Sequence, residues 1–240
     1  MNRDFIAWLA QHDDRAYDLH ETHVNPAFVK MLKTIGFDKH YVRGEGAYLW
    51  DDEGNKYLDF LTGWGVFAVG RNHPKVKSIL KQVLDRDLPN LVRMNCSTLS
   101  GLVAEKLTRH IGGDLTQVFF CNSGTETVEA AIKFARCYTG RQDVIYCDHA
   151  FHGLTTGSLS INGADFFRER FGNLMPGTRK VPFNDLSALE RELASKKAAA
   201  FILEPVQGKS CEVVHDGYLA EAQRLCRKFG TLLVLDEVQT

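Results

Sequence analysis

The 240-residue sequence lacks a charge surplus, a long apolar run, a paired-cysteine pattern and any internal repeat. Each absence excludes something. Lysine and arginine number 29 against 30 acids, a formal net charge of −1. That balance leaves no electrostatic footprint for nucleic acid or an anionic membrane surface. No apolar stretch is long enough to span a bilayer. The opening MNRDFIAWLAQHDDRAYDLH is broken by Asp4, His12, Asp13 and Asp14, so it lacks the apolar core of a signal peptide. The cysteines, Cys96, Cys121, Cys137, Cys147, Cys211 and Cys226, never fall as CxxC. Several sit in apolar runs, and they read as reduced thiols of a cytoplasmic protein. With 44% hydrophobic and 25% charged residues, the chain has ordinary globular composition. It is long enough for one large core, or for one domain and part of another.

What is present is organised around residues 198–240. Two short apolar runs, 201–203 and 232–235, each end in a carboxylate, Glu204 and Asp236. Between them Tyr218–Phe229 has helical spacing, with Leu219, Ala222, Leu225, Cys226 and Phe229 on one side. Strand, helix, strand with acids at both strand ends is a crossover unit of a parallel sheet. Ligands of such sheets bind beyond the carboxyl ends of the strands.

The same alternation runs upstream. The pattern predicts strands at 117–121, 144–147 and 179–181, and helices at 125–138, around 166–171 and at 185–197. Residues 149–177 otherwise read as irregular. From about residue 63 onward this is an α/β domain with a mainly parallel central sheet flanked by helices. Residues 1–62 hold helices and a β-hairpin. Asn25 and Pro26 open a helix that Gly36 stops, and 46–50 pairs with 56–60 across the turn 51–54. His73 and Pro74 open a helix to about Asp87, and Thr98–Ile111 forms another. The chain stops at Thr240, directly after a strand with no helix to cover it. A parallel sheet needs both faces covered, so the sequence reads as the front portion of a larger protein, truncated before its sheet is complete.

Three constellations carry chemistry. In FFCNSGTET, 119–127, a strand leads into a helix start. Orphan amides there, the positive dipole end and a glycine allowing close approach make an anion seat, with the Ser123 and Thr125 hydroxyls as further donors. The same residues suit a plain helix cap, with Glu126 favouring the dipole. In DHAFHG, 148–153, His149 and His152 are spaced HxxH. No third and fourth ligand stand at the spacing zinc requires, and no metal is expected. Phe151 suits either a cover for a planar ligand or the core. Finally, LLVLDE at 232–237 with Gly208, Lys209 and Ser210 looks like pieces of a nucleotide-hydrolysing site. The P-loop needs a glycine five residues before Gly208, where Leu203 stands. That reading fails.

In order along the chain, GAYLWDDEGNKYLDF, His73-Pro74, NSGTETVEAAIKFAR, HAFHG, EPVQG and LDEVQT resemble the class-III (ω-) aminotransferases of the ornithine and acetylornithine type. These are pyridoxal-phosphate enzymes of fold type I, and the resemblance covers nearly the whole chain. It implies that Ser123, Gly124 and Thr125 form the phosphate-binding turn. It also implies that Phe151 and His152 bind the cofactor, with Phe151 on one ring face and Val238 on the other. Asp236 is then the partner of the pyridine nitrogen, Gln239 reaches the phenolic oxygen, and Glu204 is an active-site glutamate that pairs with an arginine. Trp64 matches an aromatic of the substrate pocket, though a plain core position suits it equally. A carboxylate beside the ring nitrogen favours the cationic ring, and so makes the cofactor an electron sink.

The resemblance further implies a small domain containing 1–62 and the front of a large cofactor-binding domain over 63–240. It implies a homodimer with a shared active site, small-molecule amine and keto acid or aldehyde substrates, and a Schiff-base lysine absent from these 240 residues. Transamination is the implied reaction. The alternatives are a non-catalytic remnant of the fold, or aminomutase, decarboxylase or racemase chemistry, which shares these motifs. Two departures stand out. Leu154 occupies the place of an arginine that binds a substrate carboxylate in the ornithine, acetylornithine and γ-aminobutyrate enzymes. Arg71 replaces a histidine in the family's GHxHP.

Overall fold

Caps set the helix boundaries at the start of the chain. Asp4 accepts from the Ala7 amide (3.0 Å) to open α1, Phe5–Ala10. After α2, Ala16–His23, Asn25 accepts from the Phe28 amide (3.0 Å) and opens α3, Pro26–Ile35. Pro26 supplies a preset φ in the first turn, and Gly36, at φ +75°, closes the helix in the left-handed region that glycine enters at little cost. The computed structural model describes residues 4–89, 92 and 94–240. The chain divides into two compact units, Met1–Arg93 and Met94–Thr240. No helix of the described residues is long and apolar enough to cross a membrane.

In the first unit β1, Tyr41–Glu45, β2, Tyr48–Asp51, and β3, Lys56–Leu58, form an antiparallel sheet in that order. β2 and β3 are the expected hairpin, with Tyr48 opposite Leu58 and Trp50 opposite Lys56. Asp51 makes its turn. The buried carboxylate accepts from the Asn55 amide (2.8 Å), from Asn55 Nδ2 (3.0 Å) and from the Tyr57 hydroxyl (2.7 Å). Burial pushes the Asp51 pKa up, but these hydrogen bonds outweigh it and hold the group below its ordinary value. The bond to Asp51 also pushes the Tyr57 hydroxyl up to about 12. Arg71 closes the unit. Its backbone exchanges two hydrogen bonds with Gly46 (3.0 and 2.8 Å), its Nε donates to Asp59 (2.8 Å), and its guanidinium lies over the Phe67 ring (4.2 Å). α4, Pro74–Leu84, stops short of the expected Asp87 because the Arg86 amide turns back to the Val83 carbonyl (3.2 Å).

The second unit begins with α5, Thr98–Ile111, and α6, Gly124–Thr139, which Gly140 ends at φ +68°. Then come β4, Asp143–Cys147, α7, Thr156–Leu159, α8, Asp165–Arg168, β5, Thr178–Val181, and α9, Leu186–Leu193. β6, Ala198–Leu203, α10, Tyr218–Phe229, and β7, Leu232–Leu235, complete it. The four strands are parallel, in the order β5-β4-β6-β7. β6 reads AAAFIL without alternation because both its faces are covered. Phe201 and Leu203 pack with Leu189 and Leu193 of α9 and with Ala222 and Leu225 of α10. Ala200 and Ile202 pack with Val128, Ile132 and Ala135 of α6. Each fully buried large side chain stabilises the unit by about 1.5–3 kcal/mol.

Other expectations are corrected. Residues 117–121 form no strand. Nothing among the described residues pairs with them, Phe119 and Phe120 are exposed, and Phe119 packs edge-on against Phe134 of α6 (5.3 Å). α9 is shorter than 185–197: Asp185 is its N-cap, accepting from the Ala188 amide (2.8 Å), and Lys196 at φ +56° turns the chain into β6. The stretch read as irregular contains α7, and α8 ends before Phe171 because Glu169 is extended and Arg170 sits at φ +68°.

Candidate active site

Strands β4, β6 and β7 end side by side, and the residues just past them carry the polar groups. The Asp236 amide donates to the Leu203 carbonyl (2.9 Å), which ties the exit of β7 to the end of β6. Asp236 Oδ2 lies 2.7 Å from Nδ1 of His152, with the imidazole fully buried and the carboxylate 7% exposed. Oδ1 accepts from the Val238 amide (3.2 Å). An ionised carboxylate only accepts, so the geometry assigns the shared hydrogen to Nδ1. Past β6, Glu204 accepts from the Phe151 amide at Oε2 and the Gly208 amide at Oε1 (2.9 Å each). Burial pushes the Glu204 pKa up, and the two backbone donors offset only part of that rise.

At the start of α6, Ser123 acts as the cap. Its Oγ accepts from the Glu126 amide (3.4 Å), and Glu126 reaches back to accept from the Asn122 amide (2.7 Å), a bond that holds its carboxyl below the ordinary value. The Ser123 hydroxyl still has its own hydrogen to donate. Among the described residues, no hydrogen bond uses the amides of Gly124 and Thr125. The positive end of α6 therefore keeps two unspent donors. The Thr125 hydroxyl is committed elsewhere. It lies 2.7 Å from Thr155 Oγ1 and 2.6 Å from Ser158 Oγ, and it accepts from the Thr155 amide (3.2 Å). Glu129 gathers that loop, accepting from the Thr155 hydroxyl (2.5 Å) and the amides of Gly157 (2.8 Å) and Ser158 (3.1 Å).

Two close approaches join these parts. Val238 Cγ2 stands 3.1 Å from where a Cβ on Gly124 would lie, and Gln239 Cγ 3.0 Å from the equivalent point on Gly208. A Cβ on Gly153 would run into Thr125. Ser123, Gly124, Thr125, Phe151, His152, Glu204, Asp236, Val238 and Gln239 thus come together at one rim. Phe151 is half-buried, its ring edge-on to Phe167 (5.2 Å). Leu154 is exposed. Trp64 belongs to the first unit, in a turn at φ +60°. His149 and His152 diverge, the first to Glu212 at the surface (3.4 Å) and the second to Asp236. Among the described residues no three His, Cys, Asp or Glu side chains group as metal ligands.

Sequence reasoning missed two residues of the rim. Gln207 donates to the Asp148 carbonyl (2.8 Å) and accepts from the Ser210 hydroxyl (2.8 Å). It was in view as the glutamine of EPVQG. Asn162 accepts from the His152 amide (2.7 Å) and donates to the Gly153 carbonyl (2.9 Å). A neutral amide inside SLSIN gives no spacing signal at all.

Residues 35–240 match the family described as Aminotransferase class-III. The chain is 42% identical over 201 residues to an acetylornithine aminotransferase of Bacillus cereus, covering 83% of this chain and 51% of that protein. It superposes on the ornithine aminotransferase of Toxoplasma gondii ME49 with a TM-score of 0.87 at 28% identity, covering 100% of this chain and 58% of that one. An amine transaminase from an uncultivated Pseudomonas species, solved in its pyridoxal-phosphate-bound form, superposes at 0.73 and 27% identity, covering 83% and 52%. The chain spans about half the length of the acetylornithine aminotransferases it matches. With its α/β fold and its rim of strand-end acids, the chain belongs to the class-III aminotransferases, enzymes of fold type I whose cofactor is pyridoxal phosphate.

Proposed function

We propose that this rim holds pyridoxal phosphate and that the protein moves an amino group between an amine or amino acid donor and a keto acid or aldehyde acceptor. The observation that carries the proposal is the His152–Asp236 pair at 2.7 Å, set beside a helix start with two unspent amides. The donor set suits the group. A phosphate takes the Gly124 and Thr125 amides and the Ser123 hydroxyl, while the Thr125 hydroxyl serves the loop beneath. Phe151 and Val238 flank the ring, and Gln239 serves the ring oxygen. Asp236, already accepting from His152 and Val238, has lone pairs left for the N–H of the ring. When bound, pyridoxal phosphate supplies the electron sink for a carbanion at the substrate carbon. Asp236 then holds the ring-nitrogen proton, Phe151 and Val238 fix the ring plane and shield it from water, and Glu204 offers a carboxylate to an arginine.

Leu154 supports a substrate not held by a carboxylate at that place, such as a diamine donor or an apolar carbonyl acceptor. In this reading 1–62 belongs to a small domain and 63–240 to the front of the large one, a division by role that differs from the two compact units. The working form is a cytoplasmic homodimer with a shared site. The Schiff-base lysine lies outside these 240 residues, so they do not turn over alone. Lys209, which follows Gly208, is taken up with the ring face of Phe167 (5.0 Å). Borohydride reduction of the protein at its natural length, followed by mass analysis, tests this. One pyridoxyl phosphate on a lysine beyond Thr240 is the expected result. An unmodified chain that also fails to transaminate would turn the reading toward a non-catalytic relative. Product analysis with an amine donor and a keto acid separates transamination from aminomutase, decarboxylase or racemase chemistry.

A further inference from the structure

We propose that Asn162 is a positioning residue that, through His152, sets the direction in which Asp236 presents its carboxylate; this rests on the cofactor reading above. The two ends of the fully buried Asn162 amide grip one stretch of chain, the His152 N–H (2.7 Å) and the Gly153 C=O (2.9 Å). The grip is itself seated. The Asn162 amide donates to the Leu159 carbonyl (3.2 Å) and the Gly163 amide to the Ala150 carbonyl (2.8 Å). Gly163 packs so closely that a Cβ there would collide with the amides of His149 and Ala150. Residues 162–163 thus act as a template for the loop that carries Phe151 and His152.

The imidazole shows why that template matters. A buried histidine is ordinarily oriented by hydrogen bonds at both ring nitrogens. Here Nδ1 meets Asp236, while Nε2 is buried with no partner among the described residues. That bond fixes one corner of the ring, and packing around the fully buried imidazole fixes the rest. Where the packed ring meets Asp236 is set by the position of the His152 backbone, which Asn162 holds. Loosening Asn162 therefore moves a side chain that donates to Asp236.

The test uses the protein at its natural length, first without cofactor. In ¹⁵N-histidine-labelled protein the hydrogen between His152 and Asp236 gives a downfield imidazole N–H resonance, assigned by its loss in His152→Ala. In Asn162→Leu, close in size but unable to bond, that resonance broadens or moves upfield. Affinity for pyridoxal phosphate falls about tenfold, the size of one net hydrogen bond. Asn162→Thr, which keeps a hydroxyl, lies between. A plain loop brace would lower the unfolding temperature and leave the resonance in place. A folded Asn162→Leu or Asn162→Thr with resonance and affinity unchanged overturns the proposal, as does absence of the resonance in the wild-type protein. Wild-type protein that shows the resonance but takes up no pyridoxal phosphate overturns the cofactor reading instead, and the resonance still decides the role of Asn162.

Discussion

Glu204 and Leu154 mark two different constraints on the rim, one of solvation and one of selectivity. Glu204 is buried, and its pKa is raised from the ordinary 4.5 chiefly by loss of water. The folded state therefore holds this proton to higher pH than the unfolded chain. The resulting contribution to stability is complete below the unfolded value and is lost as pH rises through the raised one. Denaturant unfolding from about pH 4 to about pH 7 should show wild type losing stability relative to Glu204→Gln as pH increases. A difference that is flat or rises with pH would contradict the burial argument. Leu154 bears on selectivity. On the proposed function, Leu154→Arg restores a bidentate partner for a carboxylate, and kcat/KM for carboxylate-bearing donors should rise by about tenfold, the worth of one exposed charge-assisted contact. Steady-state kinetics with matched donors, with and without the distal carboxylate, checks it.

At the scale of elements, the template Gly163 gives the sharpest expectation. Gly163→Ala places a methyl against backbone amides that cannot swing aside. It should cost about 3 kcal/mol or more, read as a drop in denaturation midpoint. Much of the element pattern was legible in the sequence. Asn25, Pro26 and Gly36 announce their helix, and the unalternating β6 announces a strand covered on both faces. The failures have physical causes. An apolar run such as 117–121 looks like a strand whether or not a partner edge is there to receive it. The left-handed Lys196 that shortens α9 carries no glycine to signal it. Within the rim, the strand-end acids and the glycine at the helix start were visible because charge and glycine are punctuation. Asn162 was not, because its meaning lies in which two backbone groups it meets.

At the scale of the whole molecule, the family resemblance implied a site built with a second copy. α5 exposes Leu99, Leu102, Val103, Leu107 and Ile111, spaced along one face. A contiguous apolar face of this kind marks an interaction surface more often than a solvated one. On the proposed homodimer, sedimentation of the natural-length protein at micromolar concentration should give a dimer. A monomer would remove the shared-site part of the proposal.

The rim is also tied together along one strand. Glu204 follows β6, which is bonded on both sides and buried along its length, and its carboxylate holds the Phe151 and Gly208 amides. The exit of β7 hangs from the same strand, through the bond from the Asp236 amide to the Leu203 carbonyl. A shift of β6 along its own axis would therefore carry the loop of Phe151 and the carboxylate of Asp236 with it, as one part.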